Sequence, residues 1–437
     1  MTEAMSETPA ALGPGFQARL TLRLVAPLTF MVVLNSLDRV NVSYAALQMN
    51  CDLGMSPAAY GFGISVFFFG YVLLQYPCVL SQKLIGARAW IFATVFIWGV
   101  TAAAMAFMHG APGFYMLRFL LGAAEGGFAP GVVYYMSQWA PRRYRGWAVA
   151  GTMLAIPISV VLGAPLSGWL MSLTSNPLGL PGWRFMLLME GIAPILIAFA
   201  SLAVFTNRLE DARWLTPAEK VAVRRALDEE AAEVAAQDKG HLLSALLSPQ
   251  ILSSIVMWFA LMAGSYGLLF WMPQAVKQAS TGASDFTAAA LSALPWAAIG
   301  IGMMTNAWHS DRAQERRLHF AVPAALCALC LAGAASGPPP LIALACVVLG
   351  GLMLGSAQGT FWPIPVSRLG AASASGIAVI NIVGNSAGLV SPLMIGWIRG
   401  ATGSFALATY AMAGLMLLAA VVALPATAPV RPKDAAE

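Results

Sequence analysis

The sequence predicts an all-α membrane protein with 12 transmembrane helices in two pseudo-symmetric six-helix halves and both termini in the cytoplasm. Three observations predict this fold class. Hydrophobic residues make up 59% of the 437 residues, charged residues make up only 10%, and long apolar runs recur along the whole chain. A soluble protein would carry about 25% charged residues. Each run is close to the ~20 residues that a helix needs to cross the hydrocarbon of a bilayer.

The positions of these apolar runs indicate twelve spans. We place them at about 20–46, 57–80, 88–108, 112–139, 145–172, 183–206, 248–277, 284–309, 317–335, 339–365, 372–399 and 403–425. The polar segment between the sixth and seventh spans divides the chain. The predicted domains are an N-terminal six-helix bundle (1–207), a cytoplasmic linker with an amphipathic helix (208–247) and a C-terminal six-helix bundle (248–437).

The linker helix has a recognisable beginning. Thr216 and Glu219 match a capping box, and Pro217 occupies the first helical position. We expect the helix to continue to about Ala235, with its charged residues on a solvated face.

The basic residues predict the orientation, because cytoplasmic loops carry an excess of Lys and Arg. With the N-terminus inside, 19 of the 24 Lys and Arg residues fall on the cytoplasmic side and three on the outer side. The remaining two, Arg39 and Arg118, lie within spans. The net charge of +5 reflects this bias and gives no support for nucleic-acid binding.

The first span carries an acid and a base next to each other. Asn35, Asp38 and Asn41 are spaced by three residues and share one helical face, while Arg39 lies about 100° further round and shares a face with Asn35. A charged side chain at bilayer depth costs roughly 2.5–3.5 kcal/mol on insertion scales, and such residues mark functional pathways. This helix can therefore present an anion-binding cation and a titratable acid together.

The fourth span carries a second acid and base. Arg118 and Glu125 share a face but are two turns and ~10 Å apart, so each needs a partner from another helix or a ligand. We expect Asp38 and Arg39 to lie opposite them. The alternative is a charge-compensated cluster that only fixes helix packing. A buried ion pair is often no more stabilising than an apolar replacement, which favours a functional site.

Uncharged polar side chains in other spans add candidates for substrate binding. Each is by itself more often a helix-to-helix hydrogen-bonding residue than a ligand. As a group they can hydrogen-bond a polyoxygenated or aromatic solute, and the ones we select are Tyr71, Gln358, Trp362 and Asn381.

Enzyme motifs are absent. The sequence contains no His-Glu-x-x-His, Walker-A or Gly-x-Ser-x-Gly motif. The four histidines are dispersed along the chain, and we expect them not to cluster. We therefore predict a protein that is not an enzyme and that uses neither a metal nor a cofactor.

Seven stretches resemble the motifs of one transporter family. They are Leu37–Asn41, Tyr60–Gly63, Phe68–Tyr71, Gly86–Trp90, Arg118–Gly126, Trp183–Ile192 and Trp214–Glu219. As a set they are similar to those of the anion:cation symporter family within the major facilitator superfamily, whose bacterial members include tartrate, phthalate and hexuronate permeases. The similarity runs through most of residues 20–220 and more thinly through the C-terminal half.

The resemblance implies a secondary transporter of the bacterial inner membrane that takes up a small organic anion with protons. By this analogy Arg39 and Tyr71 contact the substrate carboxylate, Asp38 and Glu125 carry protons, and Arg118 supports the site. The seventh span has no arginine, which departs from the animal members. The expected substrate is a tartrate-like hydroxy-dicarboxylate or an aromatic acid.

Several alternatives remain open at the level of sequence. The protein could exchange or facilitate anions without protons, or it could be a drug-efflux antiporter, although such an antiporter would prefer cations. Sodium could replace the proton, since carboxylates bind either ion. A channel or a receptor is a further alternative, and saturable uphill uptake would separate a carrier from either.

Overall fold

The computed structural model describes residues 12–141, 144, 155–173, 175–236, 249–280, 282–369 and 373–426. Within these ranges every regular element is a helix. We number the helices in chain order as α1 Gly15–Asp52, α2 Pro57–Ile85, α3 Ala87–Phe107, α4 Gly110–Glu125, α5 Phe128–Ser137, α6 Ala155–Ser172, α7 Gly182–Val204, α8 Pro217–Ala236, α9 Pro249–Ala279, α10 Asp285–Ala313, α11 Arg317–Ala335, α12 Pro340–Val366, α13 Val379–Thr402 and α14 Ala406–Ala426.

Eleven helices of the described chain are long and apolar enough to cross a bilayer. They correspond to eleven of the twelve predicted spans. The first helix is longer than predicted and contains a short π-helical stretch at Thr21–Val25. The first ten residues of the predicted fifth span, and Arg142, Arg143 and Arg145 before or within it, lie outside the described residues, as do positions 237–248 of the predicted linker.

The predicted fourth span is two helices rather than one. It ends as α4 at Glu125 and resumes as α5 at Phe128. A Cβ atom on Gly126 would lie 2.2 Å from the carbonyl oxygen of Tyr71, and one on Gly127 would lie 2.3 Å from the sulfur of Cys78. The two glycines thus allow the backbone of α2 to approach, and glycine is a poor helix former in the interior of a span.

Glycines also bring α3 and α7 together. A Cβ atom on Gly191 would lie 2.3 Å from the backbone nitrogen of Ala103, and one on Gly99 would lie 2.9 Å from the backbone nitrogen of Ile195. Small residues permit this separation between helices in a membrane. The contact places Trp98, next to Gly99, at a buried position.

The linker helix α8 begins as the sequence predicts. The hydroxyl of Thr216 accepts a hydrogen bond from the Glu219 amide at 3.2 Å, and the Glu219 carboxylate accepts one from the Thr216 amide at 2.9 Å. These two bonds confirm the capping box. The same carboxylate forms an ion pair with Arg19, which ties α8 to the start of α1.

The described residues group into two compact units. Unit 1 draws on Met1–Asn41, Phe69–Val160 and Ser175–Asp238, and unit 2 draws on Val42–Phe68, Val161–Thr174 and Lys239–Glu437. The division between the units falls within α1, α2 and α6. The domain limits predicted at residues 207 and 248 stay a prediction.

Candidate functional site

Asp38 is held by two donors inside unit 1. Its side chain is 1% exposed. One carboxylate oxygen, Oδ2, accepts a hydrogen bond of 2.7 Å from the indole nitrogen of Trp98, and the other, Oδ1, accepts one of 3.3 Å from the amide of Asn41. A buried carboxylate needs such partners, because an unpaired polar group is costly away from water. The two donors fix the orientation of the Asp38 carboxylate on α1.

Arg39 forms an ion pair with Glu125. The Nη2 atom lies 3.2 Å and the Nε atom 3.4 Å from Oε2 of Glu125, whose side chain is fully buried. The Nη2 atom also donates to Oδ1 of Asn35, one turn earlier on α1, at 3.3 Å. The guanidinium lies over the ring of Tyr71, 5.0 Å from its centroid. Carboxylate, amide and aromatic ring therefore surround one cation that keeps 17% of its side chain exposed.

Arg118 is buried in the same unit. Its side chain is 0% exposed, on the face of α4 that also carries Glu125, and the two side chains are close enough to interact electrostatically. The structure thus brings together six of the predicted site residues, which are Asn35, Asp38, Arg39, Tyr71, Arg118 and Glu125. Their positions agree with the expectation that the charged pairs of the first and fourth spans face each other.

The candidates selected from the sequence do not include two residues that lie near this cluster. Trp98 donates to Asp38, and Glu190 on α7 is 5% exposed and close enough to Asp38 for an electrostatic interaction. The signal for Trp98 was its position in the middle of the third span. An indole N–H at that depth requires a buried acceptor, whereas most membrane tryptophans lie at the interface.

Two of the predicted residues of unit 2 lie on α12. The Gln358 amide donates to the hydroxyl of Ser265 on α9 at 2.6 Å. The ring of Trp362 lies 4.9 Å from that of Trp258, also on α9. Both predicted residues are half-buried, and both are positioned by α9.

The third predicted residue of unit 2 belongs to a polar chain between α13 and α9. The Asn385 amide donates to Oδ1 of Asn381 at 2.8 Å, and the Tyr266 hydroxyl donates to Oδ1 of Asn385 at 3.2 Å. Asn381 itself is exposed. Within unit 2, Asn381 and Asn385 therefore form one hydrogen-bonded pair on α13.

The expectation that the histidines do not cluster is wrong for one pair. The Nδ1 atom of His309 lies 2.6 Å from Nε2 of His319, and Nδ1 of His319 lies 2.7 Å from the carboxylate of Glu315. Ten residues separate the two histidines in sequence, but the turn between α10 and α11 brings them together. No group of three or more His, Cys, Asp or Glu residues in the described ranges could hold a metal ion.

An apolar all-helical chain with a buried charged cluster is typical of a multi-pass membrane transport protein. The sequence profile of the Major Facilitator Superfamily matches residues 28–392. The chain therefore belongs to the major facilitator superfamily, and it has the twelve-helix fold of that superfamily, with α4 and α5 together forming one span.

Relatives support this assignment. A putative tartrate transporter from Agrobacterium vitis is 39% identical over 412 residues, covering 93% of each chain. A quinolone resistance transporter from Acinetobacter baumannii is 33% identical over 405 residues, covering 92% of each chain. The similarity to the putative tartrate transporter agrees with the resemblance to the anion:cation symporter family.

A solved structure shows the same fold. The crystal structure of a D-xylose-proton symporter superposes with a TM-score of 0.71 at 17% sequence identity, covering 92% of this chain and 97% of that chain.

Proposed function

We propose that this protein takes up an organic carboxylate anion across the bacterial inner membrane by proton symport, through alternating access around Arg39. The observation that carries the proposal is the ion pair between Arg39 and the buried carboxylate of Glu125. Arg39 offers the planar donor fork that suits a carboxylate. The substrate carboxylate and Glu125 then compete for the same guanidinium.

This competition couples the anion to the proton. When Glu125 carries a proton, it no longer neutralises Arg39, and the guanidinium attracts a substrate anion more strongly. By linkage, a bound anion favours the proton on Glu125 by the same factor. Asp38, held by Trp98 and Asn41, is the second proposed proton carrier. A site loaded with both a monovalent anion and a proton carries less net charge than a site loaded with either one alone, which favours closing and reopening of the fully loaded site.

The proposed substrate is a tartrate-like hydroxy-dicarboxylate or an aromatic acid. The relative that is 39% identical is named as a putative tartrate transporter, which supports the first of these. Asn35 and Tyr71 supply polar and aromatic contacts beside Arg39. Arg118 adds a second buried positive charge close to Glu125. Gln358, Trp362 and Asn381 are the proposed contributors from the C-terminal half.

Uptake by reconstituted protein tests the role of Arg39. Proteoliposomes would be assayed for labelled L-tartrate and labelled benzoate with an inward proton gradient. We expect Arg39→Ala to abolish uptake and Arg39→Lys to retain only part of it, because lysine lacks the bidentate fork. Arg312→Ala serves as the matched control, since Arg312 is exposed and lies over the ring of Trp308. Unchanged affinity in Arg39→Ala would exclude Arg39 from the binding site.

Two alternatives have separate tests. A proton-independent exchanger or facilitator would equilibrate labelled anion at the same rate with and without a pH gradient. The second alternative is a drug-efflux antiporter, and the observation in its support is the similarity to the quinolone resistance transporter. It would raise quinolone resistance when expressed in a susceptible host, whereas the proposed symporter leaves resistance unchanged.

A further inference from the structure

A cavity lies inside unit 2, among α9, α11, α12, α13 and α14. Its volume is about 100 Å³, several times the ~10–15 Å³ that one water needs. The lining is mostly apolar and includes Gly264, Leu331, Leu354, Ile395 and Met412. Apolar cavities of this kind stay dry and accept apolar ligands. The chemistry of the lining therefore selects a hydrocarbon group rather than water or the proposed substrate.

The indole N–H of Trp271 is a polar group in the lining that a ligand could bind. Trp271 is 2% exposed, and its indole nitrogen has no hydrogen-bond partner among the described residues. A buried indole N–H usually has an acceptor. Thr409, the other polar residue of the lining, uses its hydroxyl to donate to the Phe405 carbonyl at 3.0 Å. The indole of Trp271 is thus a donor that a ligand in the cavity can satisfy.

A cation lies beside two rings that line this cavity. The guanidinium of Arg399 is 4.3 Å from the ring centroid of Phe405 and 5.7 Å from that of Trp271. It donates to Gln274 at 2.6 Å, and a guanidinium has five N–H donors in all. Arg399 lies in the last turn of α13, and it is one of the three Lys and Arg residues that the sequence places on the outer side of the membrane. An apolar cavity and a positive charge therefore adjoin each other near one end of membrane-spanning helices.

We propose that this cavity binds one acyl chain of an anionic phospholipid, with the headgroup phosphate on Arg399. The hydrocarbon fills the apolar space, the Trp271 N–H donates to an ester oxygen, and the phosphate pairs with the guanidinium. Basic pockets between transmembrane helices select anionic headgroups in this way. A lipid of the surrounding bilayer is the source, because every helix that lines the cavity spans the membrane. The proposal is independent of the substrate carried at Arg39.

Native mass spectrometry of the purified full chain tests the acyl-chain site. The protein would be exchanged into detergent with phosphatidylglycerol or with phosphatidylcholine of identical chains. Gly264→Leu fills the cavity, since the nearest atom to a Cβ at Gly264 is 3.6 Å away. We expect it to lower the bound fraction of phosphatidylglycerol at least tenfold. Gly414→Leu is the matched control, because a Cβ at Gly414 meets nothing within 4 Å, and it keeps wild-type binding.

Substitutions of Arg399 test the contact with the lipid headgroup. Wild-type protein should retain phosphatidylglycerol at least tenfold more than phosphatidylcholine. Arg399→Gln should remove this preference, and Arg399→Lys should restore much of it. Ala408→Leu, which also lines the cavity, replaces Gly264→Leu if that variant fails to fold. Equal retention by wild type and the cavity-filling variant, equal retention of the two lipids by wild type, or a co-purified free fatty acid in place of phospholipid would each overturn the proposal.

Discussion

Trp98 is the residue that holds the Asp38 carboxylate in place. Its indole N–H donates to Oδ2 at 2.7 Å, and both side chains are buried. The ring also contacts Phe128 edge-on, with 4.9 Å between the centroids. Packing against Phe128 therefore fixes the orientation of the indole independently of its hydrogen bond to Asp38. A proposed proton carrier needs this kind of positioning, because a carboxylate that rotates freely cannot be presented to one side of the membrane at a time.

Replacing Trp98 by Phe should destabilise the protein and impair transport. Losing the donor of a buried acceptor costs about 1–3 kcal/mol, and the carboxylate of Asp38 becomes free to reorient. Thermal unfolding and proton-driven uptake in proteoliposomes measure the two effects. Trp90→Phe is the control, since the Trp90 indole donates to the Cys78 carbonyl at 2.8 Å and does not contact the charged cluster. Normal uptake in Trp98→Phe at wild-type stability would show that the indole does not position Asp38.

Glu315 shows how one side chain can stabilise the beginning of a helix. Its carboxylate accepts hydrogen bonds from the Leu318 amide at 2.8 Å and from the His319 imidazole at 2.7 Å, at the start of α11. Burial by itself would raise the pKa of Glu315, but these hydrogen bonds outweigh burial and hold the pKa below its ordinary value of 4.5. A lowered folded-state pKa means that the ionised form stabilises the fold.

Glu315→Gln should therefore lower stability in a pH-dependent way. At pH 7 we expect a loss of about 1 kcal/mol, as for other residues that cap a helix start. The stabilisation is present above the pKa of the unfolded chain and is lost as the pH falls through the lowered pKa of the fold. The difference in melting temperature between wild type and Glu315→Gln should therefore be smaller at about pH 3.5 than at pH 7. Glu229→Gln, at an exposed site on α8, is the control, and an equal gap at both pH values would contradict the assignment.

At the scale of helices, glycine contacts decide where the charged side chains meet. α2 reaches α4 and α5 because Gly126 and Gly127 leave no Cβ in the way. The same approach places Tyr71 of α2 beside Arg39. The break between α4 and α5 follows Glu125 directly, so the acid occupies the last turn of α4. The position of Tyr71 next to the ion pair of Arg39 and Glu125 thus follows from a close contact between backbones.

Gly126→Ala tests that dependence. The added methyl group would lie 2.2 Å from the Tyr71 carbonyl oxygen, so the helices must separate. Overpacking of this kind costs about 1–3 kcal/mol, and we expect both the melting temperature and uptake to fall. Gly113→Ala, in α4, is the control, because the nearest atom to the added methyl group would be at an ordinary 3.6 Å. If the two variants have the same melting temperature and the same uptake, the close contact at Gly126 does not determine the geometry of the site.

At the scale of the whole molecule, the proposed coupling predicts how far an anion accumulates. A tenfold ratio of concentrations corresponds to about 1.4 kcal/mol. One proton per monovalent anion therefore supports at most tenfold accumulation for each pH unit across the membrane. The final internal and external concentrations of labelled substrate in proteoliposomes measure this ratio and report the stoichiometry.

Glu125→Gln should remove accumulation while leaving downhill exchange measurable. Because the amide of the glutamine cannot ionise, the ion pair with Arg39 is lost. The variant also lacks one of the two proposed groups that carry protons across the membrane with the substrate. Glu210→Gln, on the exposed linker segment where Glu210 pairs with Arg224, should accumulate anion like wild type. Normal accumulation by both Glu125→Gln and Asp38→Asn would refute the proposed mechanism.

The sequence by itself determined the number and approximate position of the membrane helices, the capping box of α8 and the identity of the buried charges. These features are local: apolar length sets a span, and a charge in an apolar run stands out whatever surrounds it. Tertiary structure decided the rest. Which donor reaches Asp38 and which backbone packs against Gly126 and Gly127 depend on helices that are distant in sequence. The contact of His309 with His319 depends on the geometry of the turn between α10 and α11. Periodicity within one helix carries no information on which helix packs against it, because that choice rests on the shapes of both surfaces.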